Sequence, residues 1–308
     1  LSSQLTGLST HAPLSRQSKL TRASSVSRPS TFLDPLPRDW AACTVSFRGV
    51  TLSVPVAGGE KLLLDDVSGV VKPGVTMLMG PSGAGKSTLL RLLKGGRDAR
   101  GWRASGTVVV DGGAPLEPWE TLCSRLGGRF GFCSDQDVMV PGLNVYEQLI
   151  YSARLSETTR TKAEEWENVG LALAMLGLQR LATSMVGPPG SRGGLSFGER
   201  KRVSLAIELV KRPTFLIVDE CTAGLDAATV LKVVNVFATL AAQELCTVLA
   251  TFQQPRQEVF DSLDGLLLLA PGGRVIYNGA IRDVQPWFEQ AGFRRPRGHG
   301  LGEDGMDA

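Results

Sequence analysis

GPSGAGKST, residues 80–88, decides how this chain is read. Gly80, Pro81, Ser82, Gly83, Ala84, Gly85, Lys86, Ser87 and Thr88 fit the pattern G-x-x-x-x-G-K-[ST]. In that pattern glycines let the backbone curl so that its N–H groups face nucleotide phosphates. Lys86 adds a point charge, and the Ser87 hydroxyl can hold Mg²⁺. The context the motif requires is present on both sides. Val75 to Met79 (VTMLM) is a short apolar run suited to a buried strand. Ser87 to Lys94 (STLLRLLK) has helical spacing, which puts the phosphates at a helix N-terminus.

Two further stretches complete the chemistry. Phe215 to Glu220 (FLIVDE) reads as a buried strand with acids at its C-terminal end, where α/β sheets bind ligands. Asp219 would hold Mg²⁺ directly or through water. Glu220 would polarise an attacking water as general base. Taken alone, a strand ending in solvated acids is common; behind a phosphate loop the pair gains meaning. Leu195 to Arg202 reads LSFGERKR, with Ser196 and Glu199 at capping-box spacing. A helix should start there, its N-terminus a second anion site with the Ser196 hydroxyl and the Gly198 N–H available. By itself this stretch reads better as an ordinary capped helix with a basic first turn.

The bulk properties narrow the class. The chain has 308 residues, 43% hydrophobic and 20% charged, an ordinary globular composition for one large or two small domains. A net charge of +3 is too small to argue for nucleic acid. The five cysteines (Cys43, Cys123, Cys133, Cys221, Cys246) are scattered and odd in number, which speaks against a disulfide framework or a zinc site. His11 and His299 lie far in sequence from the three motifs. No apolar run approaches the ~18–20 residues that span a bilayer. The chain begins at Leu1, so it reads as a piece of a longer protein.

Residues 1–38 are rich in Ser, Thr, Arg and Lys and read as a disordered basic tail or linker, with Ser24 and Ser25 near Arg22 as weak phosphorylation candidates. Thr44 to Val54 is β-like, and Gly106 to Val110 is a strand ending in an Asp111-Gly112 turn. Helices are expected over 161–176, 198–211 and 227–240, a loop over 186–194, and strands over 214–218 and 247–251. Leu266 to Ala270 and Arg274 to Tyr277 form a hairpin, and Pro286 to Ala291 a short helix. The alternation argues for an α/β fold with a largely parallel sheet.

The three motifs in this order resemble the nucleotide-binding domain of ABC transporters. LSFGE is similar to the family's LSGGQ signature, with Phe197 and Glu199 at the third and fifth positions. Cys221 to Asp226 (CTAGLD) resembles the D-loop that follows the acids, with Asp226 its acid. GERKRVSLAIELVKRP, TFQQPRQEVFDSLDGLLLLAPGGRVIYNG and PWFEQAGF look like the G subfamily and its pleiotropic-drug-resistance members. The resemblance implies a P-loop NTPase (RecA-like) core, an N-terminal antiparallel β subdomain, and an α-helical signature subdomain at about 143–212. The whole domain would span 39–291, with 292–308 a linker toward a membrane domain on another segment. ATP and Mg²⁺ are the implied ligands. Two such domains, on the same or different chains, would pair head to tail, with ATP held by residues 80–88 and Asp219 of one and capped by Ser196, Gly198 and Glu199 of the other. The implied setting is the cytoplasmic face of a membrane, and the implied work is substrate export driven by ATP binding and hydrolysis. A soluble ABC ATPase and a catalytically weak regulatory half are the alternatives.

Two positions depart from the family pattern. Gln253 stands where the family places the His that contacts the γ-phosphate and steadies Glu220. An amide donates a hydrogen bond but cannot become cationic, so weakened hydrolysis with retained ATP binding is expected. In Phe132 to Asp137 (FCSDQD) the usual Gln position falls on Asp135, and a Gln follows at Gln136; either can serve, Gln136 after a small loop shift or Asp135 as a carboxylate near Mg²⁺. The family's adenine-stacking position falls near Leu52. Phe47 fits it by residue type only and reads better as core.

Overall fold

Phe215 to Val218 and Thr247 to Thr251 show no alternation of apolar and polar residues, and strands of that kind need cover on both faces. They receive it. The computed structural model describes residues 41–95, 102–116, 122–136, 138–156, 161–187, 194–220, 222 and 224–293, all within one unit spanning Leu36–Ala308. The basic tail 1–38, most of the loop 186–194, Cys221, Ala223, both histidines and most of 292–308 lie outside the described residues.

The strands are β1 (Val45–Val56), β2 (Gly59–Val71), β3 (Val75–Met79), β4 (Arg103–Val110), β5 (Phe130–Cys133), β6 (Phe215–Val218), β7 (Thr247–Thr251), β8 (Gly265–Ala270) and β9 (Arg274–Ala280). The helices are α1 (Lys86–Lys94), α2 (Leu122–Leu126), α3 (Val145–Leu155), α4 (Lys162–Met175), α5 (Phe197–Leu209), α6 (Ala227–Ala242), α7 (Gln257–Ser262) and α8 (Val284–Gln290). The main sheet has six strands in the order β5-β6-β7-β3-β8-β9. It is parallel from β5 to β8 and ends in the antiparallel hairpin of β8 and β9. A second, antiparallel sheet has the order β2-β1-β4.

Successive residues of a strand face opposite sides, so the central strands feed two cores. Leu216, Val218, Val248, Ala250, Leu266 and Leu268 pack on the side of α3, α4, α5 and α6. Phe215, Ile217, Leu249, Leu267 and Leu269 pack on the other side, with α1 and the inner face of the β1–β2–β4 sheet. Every residue of β3, β6 and β7 is buried. The parallel strands therefore all end at one edge, where the loops that follow β3, β5, β6 and β7 meet.

Local signals explain where the helices begin. Asn144, Thr161 and Ser196 each form a reciprocal capping box, with Glu147, Glu164 and Glu199. The structure adds elements that the sequence pattern hides. β2 mixes two acids into its apolar run (GEKLLLDDVSGVV), β5 is four residues with a central Gly, and α3 carries a buried Gln148. β4 begins at Arg103, three residues before the expected start.

The helix α6 joins the sheet through Phe237, which is fully buried in the core beside β6 and β7. Phe237→Ala should cost about 3–5 kcal/mol of stability, read as a fall in the thermal midpoint.

Candidate functional site

The phosphate loop is shaped by its neighbours as much as by its own residues. Gly80 and Gly85 have φ of 150° and 89°, both open to glycine and costly for other residues. A Cβ at Gly85 would come within 2.9 Å of Leu64 Cδ2 and 3.0 Å of the Leu63 carbonyl, so β2 packs directly against the loop. Gly85 then caps α1, whose first turn carries Lys86, Ser87 and Thr88. Lys86 Nζ donates to the Gly80 and Pro81 carbonyls at 2.7 and 2.9 Å, folding back over the loop. Partial burial pushes its pKa down, while Asp219 and Glu220 pull it up. These three groups, distant in sequence, thus share one electrostatic neighbourhood.

Asp219 follows β6 and is 1% exposed. Its Oδ1 accepts from Thr251 Oγ1 at 2.9 Å, while its buried Oδ2 has no hydrogen-bond partner. A buried carboxylate oxygen without a partner is costly unless a cation meets it, so the site fits Mg²⁺, a hard ion suited to oxygen ligands. Asp219 is the candidate holder, with the Ser87 hydroxyl as the second group of suitable chemistry. Glu220 has φ of 51°, a left-handed conformation that costs a non-glycine residue about 1–3 kcal/mol and gathers at functional sites. Its N–H donates to Thr251 Oγ1 at 2.6 Å, and its Oε1 accepts from Gln253 Nε2 at 3.3 Å. The end of β7 therefore holds Glu220 by backbone and side chain.

The other expected residues divide. Asp135 lies 3.7 Å from Arg91 Nη2 on α1, a half-exposed pair worth little in energy but enough to orient the side chain. Gln136 is exposed, and its carbonyl accepts from Ser134 Oγ at 2.6 Å. Ser196 and Phe197 are exposed at the start of α5. The Ser196 N–H and hydroxyl both donate to Glu199 Oε2 at 2.8 Å, so Glu199 is committed to its own helix cap. Those bonds, the backbone one foremost, hold the Glu199 carboxyl below its ordinary 4.5. Asp226 caps α6, accepting from the Thr229 hydroxyl at 2.6 Å and the Thr229 N–H at 3.0 Å. The Phe197 ring lies where a Cβ on Gly224 would be, 2.5 Å away, so the signature turn and the D-loop are packed on each other.

Three features were missed or misjudged in sequence. Leu52, where the adenine-stacking position was counted, is 0% exposed and offers no face to a base, whereas Phe47 at 1% exposed is core, as expected. The basic turn after Ser196 reads in sequence only as the start of a capped helix, and its Arg200 and Lys201 side chains turn inward. Arg200 Nη1 donates to the Gly187 carbonyl at 2.8 Å, and Lys201 Nζ donates to the carbonyls of Ser134 and Asp219 at 2.9 and 3.1 Å, both side chains being buried. Thr251 joins both acids, and only its place at the end of an apolar run hinted at it.

Comparison with known proteins agrees with this geometry. A family described as ABC transporter matches residues 64–223. A broad substrate specificity ATP-binding cassette transporter, ABCG2 of Mus musculus, is 35% identical over 257 residues, covering 81% of this chain and 37% of that protein. The ABC-type transporter adrC of Penicillium roqueforti is 38% identical over 258 residues, covering 82% of this chain and 17% of that protein. ABC transporter G family member 21 of Dictyostelium discoideum is 36% identical, with 81% and 17% covered. The chain thus spans well under half the length of these curated relatives. Among solved structures, a dimeric post-hydrolysis state of the ATP-binding cassette MJ0796, bound to ADP and Pi, has a similar fold. Its TM-score is 0.63 at 23% identity, over 77% of this chain and 99% of that one.

The cap on α5 is testable by itself. Glu199→Ala should destabilise the chain by about 1 kcal/mol at neutral pH, while Glu199→Gln, which can still accept at the same place, should retain most of that. A carboxyl with a depressed folded pKa stabilises above its unfolded value and loses the effect as pH falls through the folded one. Acid titration of the thermal midpoint should therefore fall more steeply below pH 4.5 in wild type than in Glu199→Gln.

Proposed function

The chain belongs to the ABC transporter family as an ATP-binding domain, and on that footing we propose that it binds MgATP between residues 80–88 and the acids after β6 and couples that binding to transport. The observation that carries the reading is the unpartnered Asp219 Oδ2, buried in the same electrostatic neighbourhood as Lys86 and Glu220.

The N–H groups of the loop and the Lys86 ammonium bind and orient the phosphates. With a nucleotide bound, Lys86 would exchange its carbonyl acceptors for charged phosphate oxygens. Asp219 and Ser87 would hold Mg²⁺, which would supply neutralisation of charge on the phosphate oxygens. Glu220 takes the proton of the attacking water, its carboxylate steadied by the Gln253 amide. A second domain, on the same or another chain, closes the site with its own Ser196 and Gly198 equivalents, and this chain returns the favour. Closing and reopening that pair would drive a membrane domain carried on a further segment, at the cytoplasmic face. Among the described residues no helix is long and apolar enough to cross a membrane. The relatives are named as transporters, and export is the direction of transport proposed for this chain.

Gln253 supports a second, narrower reading: a half that binds ATP well, hydrolyses it slowly and serves its partner. Glu220→Gln should lower single-turnover hydrolysis by about 10²–10⁴-fold while ATP binding persists. Gln253→His should raise turnover. An unchanged rate in both Gln253→His and Gln253→Ala would remove any role for that side chain and with it the slow-half reading. Lys86→Ala should abolish binding; tight ATP binding by that variant would overturn the site.

A further inference from the structure

The end of β7 carries a group that the reading above does not use. Thr251 is 2% exposed and sits beside an acid that is 1% exposed, so both need partners within the protein. The parallel register pairs Val218 with Ala250, which brings the next residues of the two strands, Asp219 and Thr251, side by side. A hydroxyl has one hydrogen to give and lone pairs to accept with. The Thr251 hydroxyl gives its hydrogen to Asp219 Oδ1 at 2.9 Å and accepts the Glu220 N–H at 2.6 Å. One oxygen atom therefore bridges the two acids of the site.

We propose that Thr251 is a positioning residue for the metal: its hydroxyl fixes the Asp219 carboxylate so that Oδ2 is left for Mg²⁺, and holds Glu220 in its left-handed conformation. The proposal rests on the MgATP reading. Three observations carry it together. The bond to Oδ1 saturates one oxygen of a buried carboxylate and leaves the other bare. The bond from Glu220 N–H supports a backbone φ of 51°, which is uncommon for a residue other than glycine. Gln253, two residues along, reaches the Glu220 carboxylate, so the same strand end orients base and metal ligand. Groups that bond a metal's ligands fix ligand orientation before the ion arrives, which is how they raise affinity.

A merely structural threonine would affect stability in every ligand state alike; a positioning one acts through Mg²⁺. The test titrates ATP into the 308-residue chain by calorimetry, in EDTA and across a Mg²⁺ series, with thermal unfolding alongside. Thr251→Val keeps the shape and removes both hydrogen bonds. It should bind ATP in EDTA as wild type does, yet need about 10- to 100-fold more Mg²⁺ to reach half of the metal-dependent gain in affinity. Thr251→Ser, which restores the hydroxyl, should return the Mg²⁺ midpoint to wild type. If the valine variant does not fold, Thr251→Ala, which also lacks both hydrogen bonds, reports the same midpoint. A wild-type Mg²⁺ midpoint in the folded valine or alanine variant overturns the proposal. So does a loss of ATP affinity as large in EDTA as in Mg²⁺. If wild-type chain shows no Mg²⁺-dependent gain in ATP affinity, the MgATP reading itself falls and the proposal with it.

Discussion

The parallel pairing of β6 with β7 is the constraint on which the site depends. Four apolar residues, Phe215 to Val218, are buried on both faces, so the polar groups that follow them cannot retreat to solvent. Asp219 is delivered into the interior, and the neighbouring strand must supply what water cannot. It supplies one hydroxyl, on Thr251, and the register that aligns it. The hydroxyl satisfies one carboxylate oxygen and a backbone N–H; the other oxygen stays bare. A buried, half-satisfied carboxylate is a liability in a core and an asset beside a phosphate loop, because a divalent cation removes the cost.

A second constraint links that carboxylate to the start of α5. Lys201 is buried one turn into the helix and spends its donors on the carbonyls of Ser134, after β5, and Asp219, after β6. The helix whose N-terminus carries Ser196 is thus tied by one ammonium to the ends of two sheet strands. On its outer side the same turn lies against Gly224 through Phe197, and Asp226 caps the next helix. A shift of the loop at Ser134 would move a bond that also holds the signature helix. Buried charge–carbonyl contacts resist such shifts, since breaking them leaves an unpaired ammonium inside the protein.

The motifs carried most of the readable information, for a physical reason. Gly80 and Gly85 stand in conformations that suit glycine, and Ser196 with Glu199 closes a local box, so both signals are written within a few residues. The buried strands β3, β6 and β7 were legible because burial on both faces erases alternation. What stayed hidden depends on residues far apart in sequence. β2 was masked by Asp65 and Asp66, and Asp65 turns out to pair with Arg274 at 2.6 Å, 209 positions away. Lys201 looked like part of an ordinary basic first turn, because the carbonyls it meets lie 67 and 18 residues off. Thr251 ended an apolar pentapeptide, and nothing local says which strand lies beside it. Leu52 was counted into an adenine position, whereas a register shift after Phe47 resets the alternation of β1 and turns both residues inward.

On the proposed function, Gln253 would separate binding from chemistry. The groups proposed to meet phosphate and metal, namely the loop, Lys86 and Asp219, are held by side-chain hydrogen bonds and backbone geometry that do not involve Gln253. Glu220 is held differently: its backbone by Thr251 and its carboxylate by a 3.3 Å bond from an exposed amide. An amide donor and an imidazolium orient a carboxylate alike, but only the cation adds charge stabilisation as negative charge builds on the phosphate. Replacing one by the other therefore subtracts from the transition state while leaving the bound ground state nearly intact. A chain built this way would retain the closure that ATP binding drives and lose speed in the step that reverses it.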